Sequence, residues 1–251
     1  MLHPNRREFA GTLLGSLMAY GLIESVFASN LFADSVKPVV GKWLTDLANL
    51  SRDLRGKKMK DTEFQANMEE LYRKIDLAEL VKNIQLDKLA ASNKLPDNGA
   101  ANFGIDFAKI EGAPAKPGFG KQIFGLKKDR SIVPHGHANM CTGFIVLRGD
   151  FTGKHYDKLE THADHYIIKP TIDRAFKPGD LSTISDHKDN IHWFKCDSDT
   201  GFIFNVHVMG YDPAISEPSG RLYLDPEGEK LAGGLVKAKK MTSSECHKKF
   251  G

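Results

Sequence analysis

Cysteine is scarce. The 251 residues hold only Cys141, Cys196 and Cys246, which give no disulfide framework, so this is not a small scaffold stapled by cross-links. Charge of one sign is lacking too: 35 basic against 32 acidic side chains leave a net charge of +3. With no basic stripe interleaved with aromatics, nucleic acid is not an expected partner. The lysine groups Lys57, Lys58, Lys60 and Lys237, Lys239, Lys240 read as solvated surface. Beyond the first 28 residues no run approaches the ~20 apolar residues of a membrane span. There is no internal repeat and no heptad series long enough for a coiled coil. What remains, 41% hydrophobic and 27% charged, is ordinary for a soluble globular chain of one large or two small domains.

The chain divides into three parts by pattern. In residues 1–28, Arg6 and Arg7 precede Phe9 and a short apolar run broken by glycines and Ser16, ending at Val26-Phe27-Ala28. This resembles a twin-arginine export signal; an uncleaved amphipathic start is the other reading. Cleavage near Ser29 would leave a mature bacterial protein in the periplasm, with no stable membrane span. Residues 29–99 read as a helical segment packed on the domain that follows. Phe64, Met68, Leu71 and Ile75 recur at helical spacing, as do Leu77, Val81 and Ile84, and Asp76 with Glu79 reads as a capping box opening the second helix. From residue 100 the pattern changes to short strands at 104–110, 121–127, 130–134, 142–148, 151–157, 164–169, 181–184, 191–196 and 201–209, separated by Gly, Pro and Asp. Such strands with short connections indicate an antiparallel sandwich or barrel. Residues 211–251 look less regular, with GRLYLDP a possible strand and LVKAKKMTSSECHKKF a short helix or frayed tail.

Within this β region, His135-Gly136-His137 and His192 carry the strongest chemical signal. Side chains two apart on a strand point to the same face, so the first two imidazoles can converge. A third from a neighbouring strand would complete one face of a transition-metal site with open positions. His187 sits in the charged, loop-like SDHKD and is the weaker candidate for that third position. His162 and His165 have ligand-like spacing for a helix, but lie in turn and strand. His207 reads equally well as a core histidine and as a group beside the site. Cys141 and Cys196 read as small buried hydrophobes, Tyr211 and Tyr223 as packing residues, and Trp193 should face away from His192.

VPHGHANMCTGFIVLRGDF resembles the first cupin motif and PGDLSTISDHKDNIHWF the second. The resemblance implies a mainly β chain, a cupin-type antiparallel β-barrel (double-stranded β-helix) over residues 100–251 with the N-terminal helical segment beside it. The metal-binding glutamate of most cupins is replaced by Cys141 and Thr142, leaving three neutral imidazoles. Within the superfamily this resembles the three-histidine thiol dioxygenases, the cysteamine dioxygenase and plant cysteine oxidase group above all, over roughly residues 100–213. The resemblance implies ferrous iron held by His135, His137 and His192, with manganese, nickel or zinc as alternatives. It implies a small-molecule thiol and dioxygen as substrates, a sulfinate product, and His207 at the place of a histidine near the substrate. The residues that form a thioether cross-link in animal cysteine dioxygenases correspond to Thr142 and Met209, so no cross-link is expected. Their carboxylate-binding arginine has no clear counterpart; Lys109, Arg130, Arg148 and Arg174 are the candidate cations near in sequence. The rival reading is an exported cupin with another metal, or one that binds a metal or small ligand without turnover. The oligomeric state is not legible.

Overall fold

Apolar residues at helical spacing in the N-terminal part form four helices: α1 (Val40–Arg55), α2 (Asp61–Arg73), α3 (Leu77–Asn83) and α4 (Leu86–Ser92). The computed structural model describes residues 40–215 and 220–251; the expected leader at 1–28 lies outside them. Asp76 caps α3 as its position predicts, its carboxylate accepting from the amides of Ala78 and Glu79 at 2.9 and 3.2 Å. Among the described residues the strands are β1 (Ala101–Phe103), β2 (Gly120–Lys127), β3 (Ser131–Ala138), β4 (Met140–Arg148), β5 (Phe151–Thr161), β6 (His165–Phe176), β7 (Leu181–Ile184), β8 (Ile191–Cys196), β9 (Thr200–Met209), β10 (Gly220–Lys230) and β11 (Val236–Lys240). Helix α5 (Ser243–Phe250) follows.

Every strand pair is antiparallel. β1-β2-β9-β4-β7 form a five-stranded sheet, and β10-β11-β6-β5-β8-β3 close on themselves as a six-stranded barrel. The expected mainly β architecture with an antiparallel barrel and an N-terminal helical segment is thus the one observed. The five-stranded sheet is buried on both faces, which explains the nearly unbroken apolar runs of β4 and β9. On one face Cys141, Ile145, Phe204 and Val206 pack against Trp43, Leu47, Phe64 and Met68 of the helices. The alternate residues Phe144, Val146 and Ile203 face the barrel wall, against Phe151, Phe176 and Phe194. A third cluster drawn from five barrel strands, including Tyr156, Ile168, Ile191, Leu224 and Val236, fills the barrel itself.

Three expectations are corrected. Residues 104–110 do not form a strand: Phe107–Lys109 make one 3₁₀ turn, which Asp106 caps by accepting from the Ala108 amide at 3.0 Å. Phe107 and Ile110 are apolar because they are buried in the helix-side core, not because they alternate along a strand. β5 and β6 run well past 157 and 169: residues 158–161 of β5 pair toward the hairpin tip, and residues 170–176 of β6, mostly exposed but ending at buried Phe176, pair with residues 151–156 at its base. The tail divides into β11 and α5 at Thr242, where a capping box with Glu245 starts the helix.

Trp43 joins the helices to the sheet: it is fully buried, donates its indole N–H to the Leu71 carbonyl at 2.9 Å, and contacts Tyr72 and Phe204. Trp43→Ala is expected to lower unfolding stability by about 3–5 kcal/mol. Denaturant melts followed by both fluorescence and far-UV circular dichroism should still show one transition. A loss under about 1 kcal/mol, or two separate transitions, would show that the helices are not part of the same cooperative core.

Candidate metal centre

β8 lies between β3 and β5, and its register decides where His192 points. His192 stands directly opposite His135 on one side and His155 on the other. β3 reaches this alignment through an irregularity between Ile132 and His135, the stretch that contains Pro134. Proline, which has no amide to give to a ladder, is tolerated at such a break. Beyond it His135 and His137 share a face, toward the five-stranded sheet, where Phe144 lies 5.1 Å from His192. The intervening Gly136 leaves room for a clamp: a Cβ there would lie 2.5 Å from the Asn190 side-chain oxygen. Asn190 donates to the His137 and Ser185 carbonyls at 3.0 and 3.1 Å and accepts from the His137 amide at 3.3 Å.

The result is a compact cluster. The donor atoms of His135, His137 and His192 lie within 4.8 Å of one another, and all three side chains are buried. Ring centroids are 4.9 Å apart for His135–His137, 4.2 Å for His135–His192 and 5.1 Å for His137–His192. His135 donates from Nδ1 to the Val133 carbonyl at 2.7 Å, which leaves Nε2 bare. His137 Nδ1 and both ring nitrogens of His192 have no hydrogen-bond partner among the described residues. A buried polar atom without a partner costs about 1–3 kcal/mol, and a metal ion would relieve it. Burial first, then neighbouring positive charge, holds His135 and His192 well below the usual imidazole range and His137 at about 3. The rings are therefore neutral at physiological pH, the form that ligates a metal. The donor set fits a divalent transition metal.

The other candidates fall elsewhere. His207 lies on β9 opposite Thr142 and Gly120, with Nδ1 3.2 Å from the Asn205 side-chain oxygen. It opens onto a groove with Arg55, Lys116, Gly120 and Met209, and burial lowers its basicity. His187 is exposed and pairs with Asp61 at 2.7 Å, away from the cluster. His162 and His165 stack at 4.4 Å at the tip of the β5–β6 hairpin, each bonded to an adjacent carboxylate. Trp193 turns away from the cluster and packs on Phe250, and Cys141 is buried on the helix side of the sheet. Lys109 pairs with Asp106 at 3.7 Å, Arg148 with Asp87, and Arg174 with Asp180 at 3.2 Å, while Arg130 donates to the Gly251 carbonyl at 3.1 Å. Among the described residues, a cation that does face the cluster is Arg221 on β10, opposite His137. It depresses the basicity of all three histidines and of His207. Neither Arg221 nor the fully buried His155 was singled out from sequence. The alternation Phe151, Gly153, His155 along one strand face was the available signal for His155.

No protein-family model matches the chain, and no curated protein matches it. Solved structures similar to it include recombinant oxalate oxidase in complex with glycolate, at 16% identity and a TM-score of 0.36 over 52% of this chain and 58% of that one. A cupin superfamily protein from Desulfitobacterium hafniense matches at 11% identity and a TM-score of 0.32, over 48% of this chain and 87% of that one. Recombinant pro-11S globulin of pumpkin matches at 10% identity and a TM-score of 0.37, over 53% and 31%. The chain spans little more than half the length of the oxalate oxidase structures. Likenesses at this distance bring no activity or substrate to this chain.

Suppressed imidazole basicity has a consequence for the metal-free protein. These histidines stay neutral in the fold but take up protons once unfolded, so the unfolded state binds more protons below the ordinary imidazole value of 6.5. Stability should be flat above that value and fall as pH drops from about 6.5 toward about 4, each such histidine contributing up to about 1.4 kcal/mol per pH unit. Urea titrations of metal-free protein across this range check the slope. Stability unchanged between pH 7 and pH 5 would contradict buried neutral rings.

Proposed function

We propose that the chain holds one ferrous iron through His135, His137 and His192 and oxidises a small thiol with dioxygen to a sulfinate. The observation that carries this reading is the buried cluster of three neutral imidazoles with no carboxylate among its donors. An ion held by neutral ligands alone keeps its full charge, favours an anionic ligand such as a thiolate, and supplies the Lewis acidity that brings sulfur and dioxygen together. The overall change balances without a further reductant: a thiol plus dioxygen gives a sulfinic acid, sulfur losing the four electrons that dioxygen gains.

The protein's own residues supply orientation and charge. Asn190 fixes the backbone of His137 and Val133 fixes the ring of His135, so two of the donors are set in place before any ligand arrives. Asn205 orients His207: its amide donates to Thr142 and Gly143, so its oxygen accepts from His207 Nδ1 and leaves Nε2 bare on the groove side. His207 would orient a polar group of the substrate. Arg221 makes no ion pair among the described residues and lies 6.0 Å over the Phe124 ring. A cation so placed favours a thiol that carries a second, negatively charged group. The near-complete burial of the three rings, at 2%, 2% and 0% exposure, favours one alternative: a chain that binds a metal (manganese, nickel or zinc among them) or a small ligand without turnover.

Protein purified without added metal is expected to carry about one iron per chain, and His192→Ala to lose most of it. Ferrous protein should consume dioxygen in step with sulfinate formation on a panel of small thiols. Full metal content in the variant would refute the ligand set, whereas saturable thiol binding without oxygen uptake would favour the non-catalytic reading. Arg221→Gln should raise KM for an acid-bearing thiol such as 3-mercaptopropionate by about tenfold or more, the loss of one charge-assisted contact. KM for cysteamine should stay nearly constant. Equal effects on both thiols would rule out the proposed role of Arg221.

A further inference from the structure

His155 is fully buried and takes no part in the cluster of three. It stands on β5 directly opposite His192, which stands opposite His135, so three imidazoles form a row across adjoining strands. Its ring is boxed by Phe194 at 5.5 Å, edge-on, and Phe176 at 6.3 Å, stacked. From the other sheet, Ser182 of β7 places its hydroxyl 3.0 Å from Nε2 and 3.4 Å from Nδ1. One hydroxyl in that position serves the nearer nitrogen well and the other poorly. An apolar ring of the same shape would fill this box with no polar atom to satisfy, so packing alone does not explain a histidine here.

His192 has the complementary want. A neutral imidazole carries one N–H and one bare nitrogen. When the bare nitrogen faces a metal, the other keeps its proton in a buried place, and neither nitrogen of His192 has a partner among the described residues. The ring of His155, 6.3 Å away centre to centre and inclined at 64°, is the polar group opposite it on the neighbouring strand.

We propose that His155 is a positioning residue for His192. It accepts, through one bridging water, the N–H that His192 keeps when its other nitrogen faces the metal. Ser182 accepts in turn from His155 Nε2–H, leaving Nδ1 as the acceptor toward His192. The arrangement ties a ligand on the barrel to β7 of the opposite sheet, and so fixes the ring plane of His192. This inference rests on the three-histidine metal reading, and its test separates the two.

Cobalt(II) is the probe, bound to the full chain after metal removal, with affinity measured by competition with a chelator and the site read by visible absorption. His155→Phe is expected to weaken cobalt binding by about 10–100-fold, the usual effect of losing an outer partner of a ligating histidine. The absorption bands should shift, while the metal-free variant melts no lower than wild type because phenylalanine fits the aromatic box. His155→Gln, which restores an acceptor, should recover most of the affinity, and Ser182→Ala should lose part of it. Binding within twofold of wild type with an unshifted spectrum in His155→Phe overturns the proposal. So does a His155→Gln variant as weak as His155→Phe. Should wild type fail to bind cobalt, or His192→Ala bind as tightly as wild type, the metal reading itself falls and this inference with it.

Discussion

The register of β8 between β3 and β5 is the constraint on which the site depends. Side chains alternate across a strand, so a slip of one residue would send His192 into the barrel interior and put Ile191 in its place. The apolar alternation prevents that slip. Ile191 is locked among Tyr156, Ile168, Leu224 and Val236, while Phe194 is locked among Phe144, Phe151 and Phe176. Each of these clusters would be broken by the same movement that misplaced the histidine. The irregularity at Ile132–His135 acts on the neighbouring strand in the same sense, letting Ile132 face Phe194 and His135 face His192 although their spacings differ by one. Hydrophobic packing on either side of the donors therefore does the work of aiming them.

Burial then sets the chemistry. Three imidazoles with ring centres 4.2–5.1 Å apart would repel if charged, and desolvation already disfavours their protonated forms. Arg221 adds positive potential from β10, and no carboxylate stands among the donors to offset it. Of the three rings, His135 has its outer hydrogen bond in place and His192 has none among the described residues. The least supported donor is also the one flanked by another buried histidine, so the row of His135, His192 and His155 is best understood as one unit spanning three strands.

Much of this was legible in the sequence because it rests on short-range periodicity. His135 and His137 are two apart on a strand, and that spacing alone puts them on one face. The helical stripes of 64–75, the cap at Asp76 and most inner strands were readable for the same reason. What was not legible depends on long-range pairing. Arg221 lies in GRLYLDP, a strand whose partner, β3, is more than eighty residues away in sequence, so nothing local marks it as facing His137. His155 sits in the polar run KHYDKLE, and its burial comes from the β5–β8 pairing and from Ser182 on the opposite sheet. The apolar residues of 104–110 suggested a strand because burial without alternation looks the same from sequence when a turn is anchored under a helix layer.

In the proposed centre three ring nitrogens, with no sulfur and no carboxylate oxygen from the chain, hold one ion. X-ray absorption at the metal edge of protein purified as expressed addresses this most directly. A three-imidazole centre is expected to give a first shell with about three nitrogen scatterers near 2.0–2.2 Å and the outer-shell scattering of imidazole rings. A sulfur scatterer from the chain near 2.3 Å, or a first shell without imidazole outer scattering, would contradict it.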